Sequence, residues 1–342
     1  MPTDSTPHLI VPFAACSGDD WLQVVSPIKL KNLDQLLRGM KLVDTDAGRA
    51  DSLIPPHERV LARARGLAPS PPGERSGMGA ASNGSLAGPH PDPLPEAEGV
   101  IHNGLLPWAA LEAKAIPGQA WAFITPCHWA MGREHATLTD PATLDMSAAE
   151  SRTLLAAMQP YFATEGITLH YAAPTRWLAK GDVFKRLPTA SLDRVLGRNV
   201  DRWLPPSKQI KLLQNEMQML LYTHAVNDER TARGQRSVNS FWVSGSGALT
   251  ETATDAPQVK VTRALAPSAF ANDWATYAAA WAQLDANDVA QLLAQQNSGK
   301  PVRISLCGES NSVTFESVPR SLFARLKGAF TPLSTTYLLK QL

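Results

Sequence analysis

The sequence predicts an α/β protein in which a largely parallel sheet is flanked by helices. Short segments rich in β-branched and aromatic residues alternate with amphipathic segments along most of the 342 residues. This alternation is typical of α/β folds. Hydrophobic residues make up 44% of the chain, which is enough for a sizeable core. The length fits two domains, or one large domain with insertions.

Composition excludes several classes of partner. The net charge is +1, from 32 basic and 31 acidic residues, so we expect no nucleic-acid partner and no attraction to an anionic membrane. No apolar run reaches 18 residues, and the N-terminus lacks the features of a signal peptide. Cys16, Cys127 and Cys307 are far apart and predict free thiols. We therefore expect a cytoplasmic protein that does not contact a membrane.

The first third of the chain contains a predicted strand, two helices and an insertion. Residues 8–15 predict a buried strand, and helices are expected at about 33–40 and 57–66, the second after a Pro-Pro pair. Residues 67–99 are rich in Pro, Gly, Ala and Ser. Such a segment buries too little apolar surface to offset its ordering entropy, so we predict a disordered surface insertion.

The rest of the chain resumes the alternation. A capping box at Ser147 and Glu150 begins a helix that ends at Gly166. The remaining segments are strands at 121–131, 167–179, 259–265, 301–308 and 312–318, and helices at 187–205, 208–234 and 273–296.

The segment VNSFWVSGSGAL, residues 238–249, predicts a buried strand that opens into a glycine-rich loop. Its spacing matches neither a phosphate-binding P-loop, nor a dinucleotide fingerprint, nor a nucleophile elbow. Two interpretations stay open. The segment is a plain loop at the carboxyl end of a strand, or Ser244 and Ser246 contact an anionic ligand there.

Two further groups of residues could carry chemistry. His128, His135 and Asp140 lie close together in sequence, but the seven-residue spacing of the histidines does not fit a metal site, and we expect none. Arg194, Arg198 and Arg202 recur every four residues and would share one face of a helix. That face is either solvated and paired with aspartates, or directed at a phosphorylated or carboxylate ligand.

The longest motifs resemble a known family. The blocks SLIPPHERVLARARGL, PCHWAMGREHATLTDP, PTASLDRVLGRN, LLQNEMQMLLYTHAVNDERTARG and VNSFWVSGSG resemble the bacterial RpfE-type regulatory protein family. Its members are often labelled cofactor-independent phosphoglycerate mutases. The resemblance covers most of the chain outside residues 67–99.

A more distant resemblance, over about half the chain, concerns the archaeal-type cofactor-independent phosphoglycerate mutases of the alkaline phosphatase superfamily. It rests on LKNLDQLLRGM, on TLTDPATLDMSAAESRTLLAAMQPYF with APTRWL, and on HAVNDERTARGQRSVNSFWVSGSG. The resemblance implies an alkaline-phosphatase-like, mostly parallel sheet with an inserted smaller α/β cap domain. The main domain would comprise residues 1–115 and 205–342, and the cap residues 116–204.

The sequence departs from those mutases where they bind two metals. The first ligand in that family is an aspartate after the first strand, and Phe13-Ala14-Ala15 stand there in this chain. A late Asp-His pair is replaced by Cys307-Gly308-Glu309, and residues 250–342 contain no histidine. Two-metal phosphoryl transfer needs both sets of ligands. We therefore expect no phosphoglycerate mutase activity.

These observations predict a degenerate phosphoglycerate-mutase-like protein that regulates by binding a small anionic metabolite or a protein partner. Candidate ligand-binding residues are Asp140, Arg176, Arg194, Arg198, Ser244 and Ser246. The alternative is an active phosphomutase or phosphohydrolase with a rearranged site. Its candidate catalytic residues are Ser52, in the region of the family's nucleophile, and His128 and His135. No cofactor is expected, and Mn²⁺ or Zn²⁺ would enter only under this alternative.

Overall fold

The structure is a computed structural model that describes residues 6–17, 19–25, 28–67, 103–251, 258–318 and 335–342. The predicted insertion at 67–99 lies outside the described residues, except for Leu67.

Strands occur throughout the described chain. They are β1 (His8–Val11), β2 (Met40–Ala47), β3 (Ala120–Cys127), β4 (Trp129–Met131), β5 (Ala136–Leu138), β6 (Thr168–Ala173), β7 (Arg176–Lys180), β8 (Ser240–Ala248), β9 (Val259–Val261), β10 (Arg303–Cys307) and β11 (Asn311–Ser317).

Helices separate most of these strands. They are α1 (Asp19–Val25), α2 (Lys31–Arg38), α3 (Pro56–Ala64), α4 (Trp108–Glu112), α5 (Ala148–Thr164), α6 (Leu192–Val195), α7 (Lys208–Tyr222), α8 (Ala225–Ala232), α9 (Ala266–Ala271), α10 (Trp274–Leu284), α11 (Ala290–Asn297) and α12 (Thr335–Leu339). Short 3-10 turns span Pro141–Leu144, Asp182–Phe184 and Val200–Trp203, and a π-helical segment, Asp285–Val289, joins α10 to α11.

Among the described residues, the first sheet has five strands in the order β2-β11-β10-β1-β9. Strand β1 is parallel to both neighbours, β10 and β9, whereas the two pairs formed by β11 are antiparallel. The sheet is therefore mixed, and the prediction of a mostly parallel sheet is not confirmed. Residues 308–310 alone connect β10 to β11. A parallel crossover needs a dozen or more residues, so this connection forces an antiparallel pair.

Helices cover both faces of this sheet, as predicted. Side chains alternate along β1, so Leu9 and Val11 face one core while Ile10 faces another. The first core includes Leu33 of α2 and Trp281 of α10, both fully buried. Ile10 instead contacts the cluster of Val60, from α3. A strand that is buried on both faces has a continuous apolar sequence. This explains why the sequence predicts a strand here, at 8–15, and the observed strand covers its first half.

The second sheet has four strands in the order β6-β7-β3-β8, and each of its pairs is antiparallel. Helices α5 and α7 pack with these strands in one core that includes Leu154, Ile210 and Phe241. Helix α7 and strand β8, which the prediction assigns to the main domain, thus share a core with strands β3, β6 and β7, which it assigns to the cap. The division into a main domain and a cap stays a prediction.

The glycine-rich segment is part of a strand, so the predicted loop is wrong. Strand β8 runs through Ser244-Gly245-Ser246-Gly247 and pairs with β3 on both sides of a register shift at Trp121/Phe123. Gly245 and Gly247 have φ angles of 59° and 141°. The positive φ values allow an irregular strand to continue, which is a common use of glycine at bulges.

Two predicted helices are shorter than their patterns suggested. The segment at 187–205 contains only α6 and a 3-10 turn, because Leu196 and Asn199 form β-bridges with Leu138 and Thr137. Arg194, Arg198 and Arg202 therefore do not share one helix. The segment at 208–234 is interrupted at His224, whose side chain accepts a hydrogen bond from Val226 N and caps α8.

The capping box of α5 is confirmed. The Ser147 hydroxyl accepts from Glu150 N, and the Glu150 carboxylate accepts from Ser147 N. No helix in the described part of the chain has the length and hydrophobicity needed to cross a membrane.

Candidate functional site

Three parallel strands end at the same edge of the five-stranded sheet. Strands β9, β1 and β10 lie side by side, and the residues just beyond them include Arg263, Phe13 and Glu309. We call these three residues the carboxyl edge. Ligands of α/β proteins bind preferentially outside the carboxyl ends of parallel strands. The carboxyl edge is therefore the candidate site.

Phe13 occupies the centre of the carboxyl edge in an unusual conformation. Its φ is 56°, in the left-handed region that non-glycine residues rarely adopt. The Tyr277 hydroxyl lies 2.7 Å from Phe13 O and 3.0 Å from Ala14 O, to either of which it can donate. The Phe13 ring packs 5.8 Å from the His57 ring and 4.7 Å from the Phe270 ring. Phe13 is thus held by contacts on several sides.

A buried aspartate lies beside this ring. His57 Nε2 is 3.1 Å from Asp193 Oδ2, and Arg263 donates to both carboxylate oxygens at 2.8 Å. The side chains of His57 and Asp193 are each 6% exposed, against 56% for Arg263. Burial alone would raise the pKa of Asp193, but the hydrogen bonds from His57 and Arg263 outweigh it and hold that pKa well below its usual range.

Glu58, next to His57 on α3, has the opposite shift. Its carboxyl group accepts hydrogen bonds from the Ser191 hydroxyl and from Trp108 Nε1, the latter at 3.0 Å. Burial raises the pKa of Glu58, and these hydrogen bonds and the charge of His57 only partly oppose it. Two carboxyl groups near His57 therefore have pKa values that differ in opposite directions from their ordinary values.

Arg194 contacts the end of β10 and has a structural role. It is 3% exposed and donates to four main-chain carbonyl oxygens, those of Ser52, Glu309, Ala50 and, at 3.4 Å, Arg49. Four of its five N–H groups are used in this way. These contacts do not support the prediction that Arg194 binds a ligand.

Arg198 is more accessible than Arg194. Its side chain is 44% exposed, and its one ion pair with another described residue is a long contact of 3.5 Å to Glu309 Oε2. The other carboxylate oxygen of Glu309 accepts from the main-chain N and the hydroxyl of Ser17. Arg198 can therefore turn towards a bound anion without leaving Glu309 unpaired.

Asp140 also belongs to this region. It caps the 3-10 turn Pro141–Leu144 by accepting from Ala142 N at 2.9 Å. The hydrogen bonds with Asp193 are the main cause of a raised pKa at Arg263, and the charge of Asp140 adds to it. Asp140 is thus close enough to act on Arg263, but it is a negative charge and would oppose an anion.

Ser52 lies near Arg194 but lacks the surroundings of a nucleophile. Its hydroxyl donates to Ile54 O at 3.0 Å and lies 3.2 Å from Asn103 Oδ1. An activated serine needs a general base within hydrogen-bond reach. Among the described residues, neither a histidine nor a carboxylate makes a hydrogen bond with the Ser52 hydroxyl, so its catalytic role stays a prediction without support from these contacts.

The two candidate catalytic histidines occupy opposite ends of one hairpin. His128 O accepts from Thr139 N where the β4–β5 hairpin begins, and His135 O accepts from Gly132 N at its turn. Gly132 is four positions beyond His128, across the three-residue strand β4, a separation of roughly 13 Å. His128 Nδ1 contacts Ser237 O at 2.9 Å, and His135 is exposed. The structure does not bring them together.

The remaining predicted residues lie in the second sheet. Arg176 forms a bidentate ion pair with Glu112 and stacks 4.0 Å from the Phe123 ring centroid. Ser244 and Ser246 are buried within β8, and the Ser246 hydroxyl lies 2.9 Å from Thr189 Oγ1. Ser52, Asp140, Arg194 and Arg198 thus lie near the carboxyl edge, whereas His128, His135, Arg176, Ser244 and Ser246 lie elsewhere.

Sequence reasoning missed the residues that dominate the site. His57, Glu58 and Arg263 are not among the candidates from sequence, and Asp193 is considered there only as one of the aspartates that could pair with the arginines of its own segment. Arg263 follows a predicted strand closely, so its position at a carboxyl end was a usable signal. The partner of Asp193 is 70 residues away in sequence, and no local pattern reveals such a contact.

The residues present do not fit the two-metal site that the mutase resemblance implies. Ala14 and Ala15 beside Phe13 are buried and carry no ligand atom. Across the described ranges, no three side chains of His, Cys, Asp or Glu lie close enough together to hold a metal ion. The charged side chains here are instead Arg263 and Glu309 of the carboxyl edge, and Arg198 beside it. Glu309 is hydrogen-bonded to Ser17 and contacts Arg198.

Comparison with known proteins gives little further information. No protein-family model matches this chain, and no curated protein does. It is similar to the solved structure of a cofactor-independent phosphoglycerate mutase from Thermoplasma acidophilum DSM 1728, with 12% identity and a TM-score of 0.33 over 98% of this chain and 99% of that chain. It is also similar to the PH0037 protein from Pyrococcus horikoshii, with 10% identity and a TM-score of 0.38 over 92% and 87% of the two chains. Such low TM-scores carry no argument about function, and both family resemblances stay predictions.

Proposed function

We propose that this chain is a degenerate phosphoglycerate-mutase-like protein that binds a small phosphorylated or carboxylate metabolite at the carboxyl edge and serves in regulation. The observation that carries the proposal is the pair of accessible arginines at this edge: Arg198 contacts Glu309, which follows β10, and Arg263 follows β9. Their side chains are 44% and 56% exposed, so both can reach a ligand from solvent. Arginine is well suited to carboxylate and phosphate groups because its guanidinium presents paired donors.

The two arginines differ in how firmly they are held. Arg263 is fixed by its bidentate pair with buried Asp193, so it supplies a positioned charge. Arg198 has only the long contact to Glu309, so it supplies an adjustable charge. An anion that draws Arg198 away would leave Glu309 bound to Ser17, on the segment that follows β1. Ligand binding would thereby break a contact between the segment that follows α6 and the end of β10, and would keep the contact between the ends of β1 and β10.

Catalysis by two-metal phosphoryl transfer is not part of the proposal. Phe13, Ala14 and Ala15 stand where the resemblance places the first metal ligand, and they carry no ligating side chain. The alternative, an active phosphomutase or phosphohydrolase using Ser52, His128 and His135, would need these side chains to act in one place. Ser52 and His128 instead contact Ile54 and Ser237, in different parts of the fold.

Calorimetric titration with inorganic phosphate and with malonate tests the proposal. We expect saturable binding of at least one probe, and Arg198→Gln should weaken it about tenfold, the effect of losing one charge-assisted hydrogen bond. Arg202→Gln is the matched control, since Arg202 is an exposed arginine four residues away in the same segment. It should leave the affinity unchanged.

Two results would overturn the proposal. Equal losses in Arg198→Gln and Arg202→Gln would show that only the overall charge matters. Stoichiometric Mn²⁺ or Zn²⁺ in the purified protein, together with metal-dependent phosphatase or mutase turnover, would favour the enzymatic alternative.

A further inference from the structure

A cavity distinct from the carboxyl edge lies beside the four-stranded sheet. It has a volume of about 440 Å³, within the range of about 300–1,000 Å³ that is usual for small-molecule pockets. Four segments enclose it: the β4–β5 hairpin, the end of α7, the helix α8 and the residues that lead into β8. Its lining residues are Trp129, Met131, Gln218, Leu221, Tyr222, Asn227, Asp228, Thr231, Ser237 and Asn239.

Two large side chains with apolar surface line this cavity and are exposed to solvent. Tyr222, at the end of α7, is 85% exposed, and Met131, on the hairpin, is 79% exposed. Trp129 and Leu221 are buried and supply apolar lining below them. Two exposed side chains of this size beside a buried tryptophan offer a surface that a small apolar or aromatic body can cover.

The two asparagine side chains of the lining are already hydrogen-bonded to the walls of the cavity. The Asn227 side chain donates to Leu221 O and Val238 O and accepts from Val238 N. The Asn239 side chain accepts from Trp129 N and donates to Trp129 O. These hydrogen bonds fix α8 and the hairpin relative to β8, so the shape of the cavity exists before any ligand arrives.

Asp228 is the one charged residue among those that line the cavity. It is exposed, and its carboxylate makes no hydrogen bond or ion pair with any other described residue. The neighbouring Glu229 contacts Arg233 at 3.8 Å, and the hairpin turn carries one residue of each sign, Arg133 and Glu134. The charge carried by the lining residues themselves is therefore negative.

We propose that this cavity binds a small organic cation, an ammonium ion with an apolar or aromatic body. The nitrogen would face the Asp228 carboxylate, and the body would lie between Tyr222 and Met131 above Trp129. Carboxylates accept hydrogen bonds from ammonium groups, and tyrosine and tryptophan rings attract cations. Methionine adapts its shape to irregular ligands. An anion would meet Asp228 unfavourably, and a neutral ligand would desolvate it without compensation.

Calorimetric titration with benzylammonium and with benzyl alcohol tests this proposal, because the two probes have similar shapes and differ in charge. We expect benzylammonium to bind saturably and benzyl alcohol to bind at least tenfold more weakly. Asp228→Asn should weaken benzylammonium binding about tenfold to a hundredfold, the effect of losing a hydrogen bond to a charged partner. Tyr222→Ala, which alters an exposed side chain, should weaken binding of both probes.

Glu229→Gln is the matched control, since it removes the same charge from the next residue of α8, which does not line the cavity. It should leave the affinity unchanged. Absence of saturable benzylammonium binding at millimolar concentration would overturn the proposal. Equal binding of the two probes, or equal losses in Asp228→Asn and Glu229→Gln, would overturn it as well.

Discussion

Gly245 shows how a single residue can be misread from its neighbours. The sequence Ser244-Gly245-Ser246-Gly247 favours a loop, yet it continues β8 with two positive φ angles. A Cβ atom at Gly245 would lie 2.7 Å from Cδ2 of the Phe123 ring. Glycine is required there because the strand β3 passes close by, a contact between residues more than a hundred positions apart.

We predict that Gly245→Ala destabilises the protein by about 2–4 kcal/mol, since the unfavourable left-handed backbone adds to overpacking against Phe123. Gly234→Ala is the control, because Gly234 has a similar φ of 70° but nothing within 4 Å of its Cβ position. That variant should lose only about 1–2 kcal/mol. Unfolding in urea measures both values. Equal losses would show that the contact with Phe123 is unimportant.

At the scale of elements, the sequence predicted a helix boundary correctly where the boundary depends only on residues within a few positions of each other. The capping box of α5 needs only Ser147 and Glu150, three residues apart, and both hydrogen bonds are present. The helix predicted at 187–205 is reduced to α6 and a 3-10 turn, because Leu196 and Asn199 pair with β5. The helix at 208–234 is interrupted by a cap at His224, which the apolar periodicity of the segment did not reveal.

We predict that Ser147→Ala costs about 1 kcal/mol of stability, because it leaves the Glu150 main-chain N–H without its acceptor. Thr153→Ala, an exposed position within the same helix, is the control and should be neutral or slightly stabilising, since alanine favours helix. Thermal or urea unfolding of the two variants checks this. A loss in Thr153→Ala as large as that in Ser147→Ala would mean that the cap is not the cause.

At the scale of the whole molecule, the segment around α6 joins the two sheets. Val195 of α6 lies in a core with Trp242 of β8, in the four-stranded sheet. Asp193 and Arg194 of the same helix contact Arg263 and Glu309, at the carboxyl edge of the five-stranded sheet. The candidate site is therefore formed where the two sheets meet.

We predict that Asp193→Asn destabilises the protein by about 2 kcal/mol at pH 7, because it removes the charge of a buried carboxylate that accepts two hydrogen bonds from the half-exposed Arg263. The pKa of Asp193 is lowered in the folded state, so its contribution is fully present above the unfolded value of about 3.9 and declines as the pH falls below it. The difference in unfolding free energy between wild type and variant should therefore shrink in acid. Urea unfolding at several pH values measures it.

Asp201→Asn is the control for this experiment, since Asp201 is exposed on the following 3-10 turn. It should show neither the loss at pH 7 nor the pH dependence. A difference for Asp193→Asn that stays constant down to the acid limit of folding would contradict the assigned ionisation.

The sequence by itself determined the α/β class, the buried first strand and several helices. Each of these depends on residues that are near one another in the chain. Only the tertiary structure decided that the first sheet is mixed, that the glycine-rich segment is a strand, and that His57, Asp193 and Arg263 meet at the carboxyl edge. These features depend on strand pairing and on contacts between distant segments, whose partners no local pattern specifies.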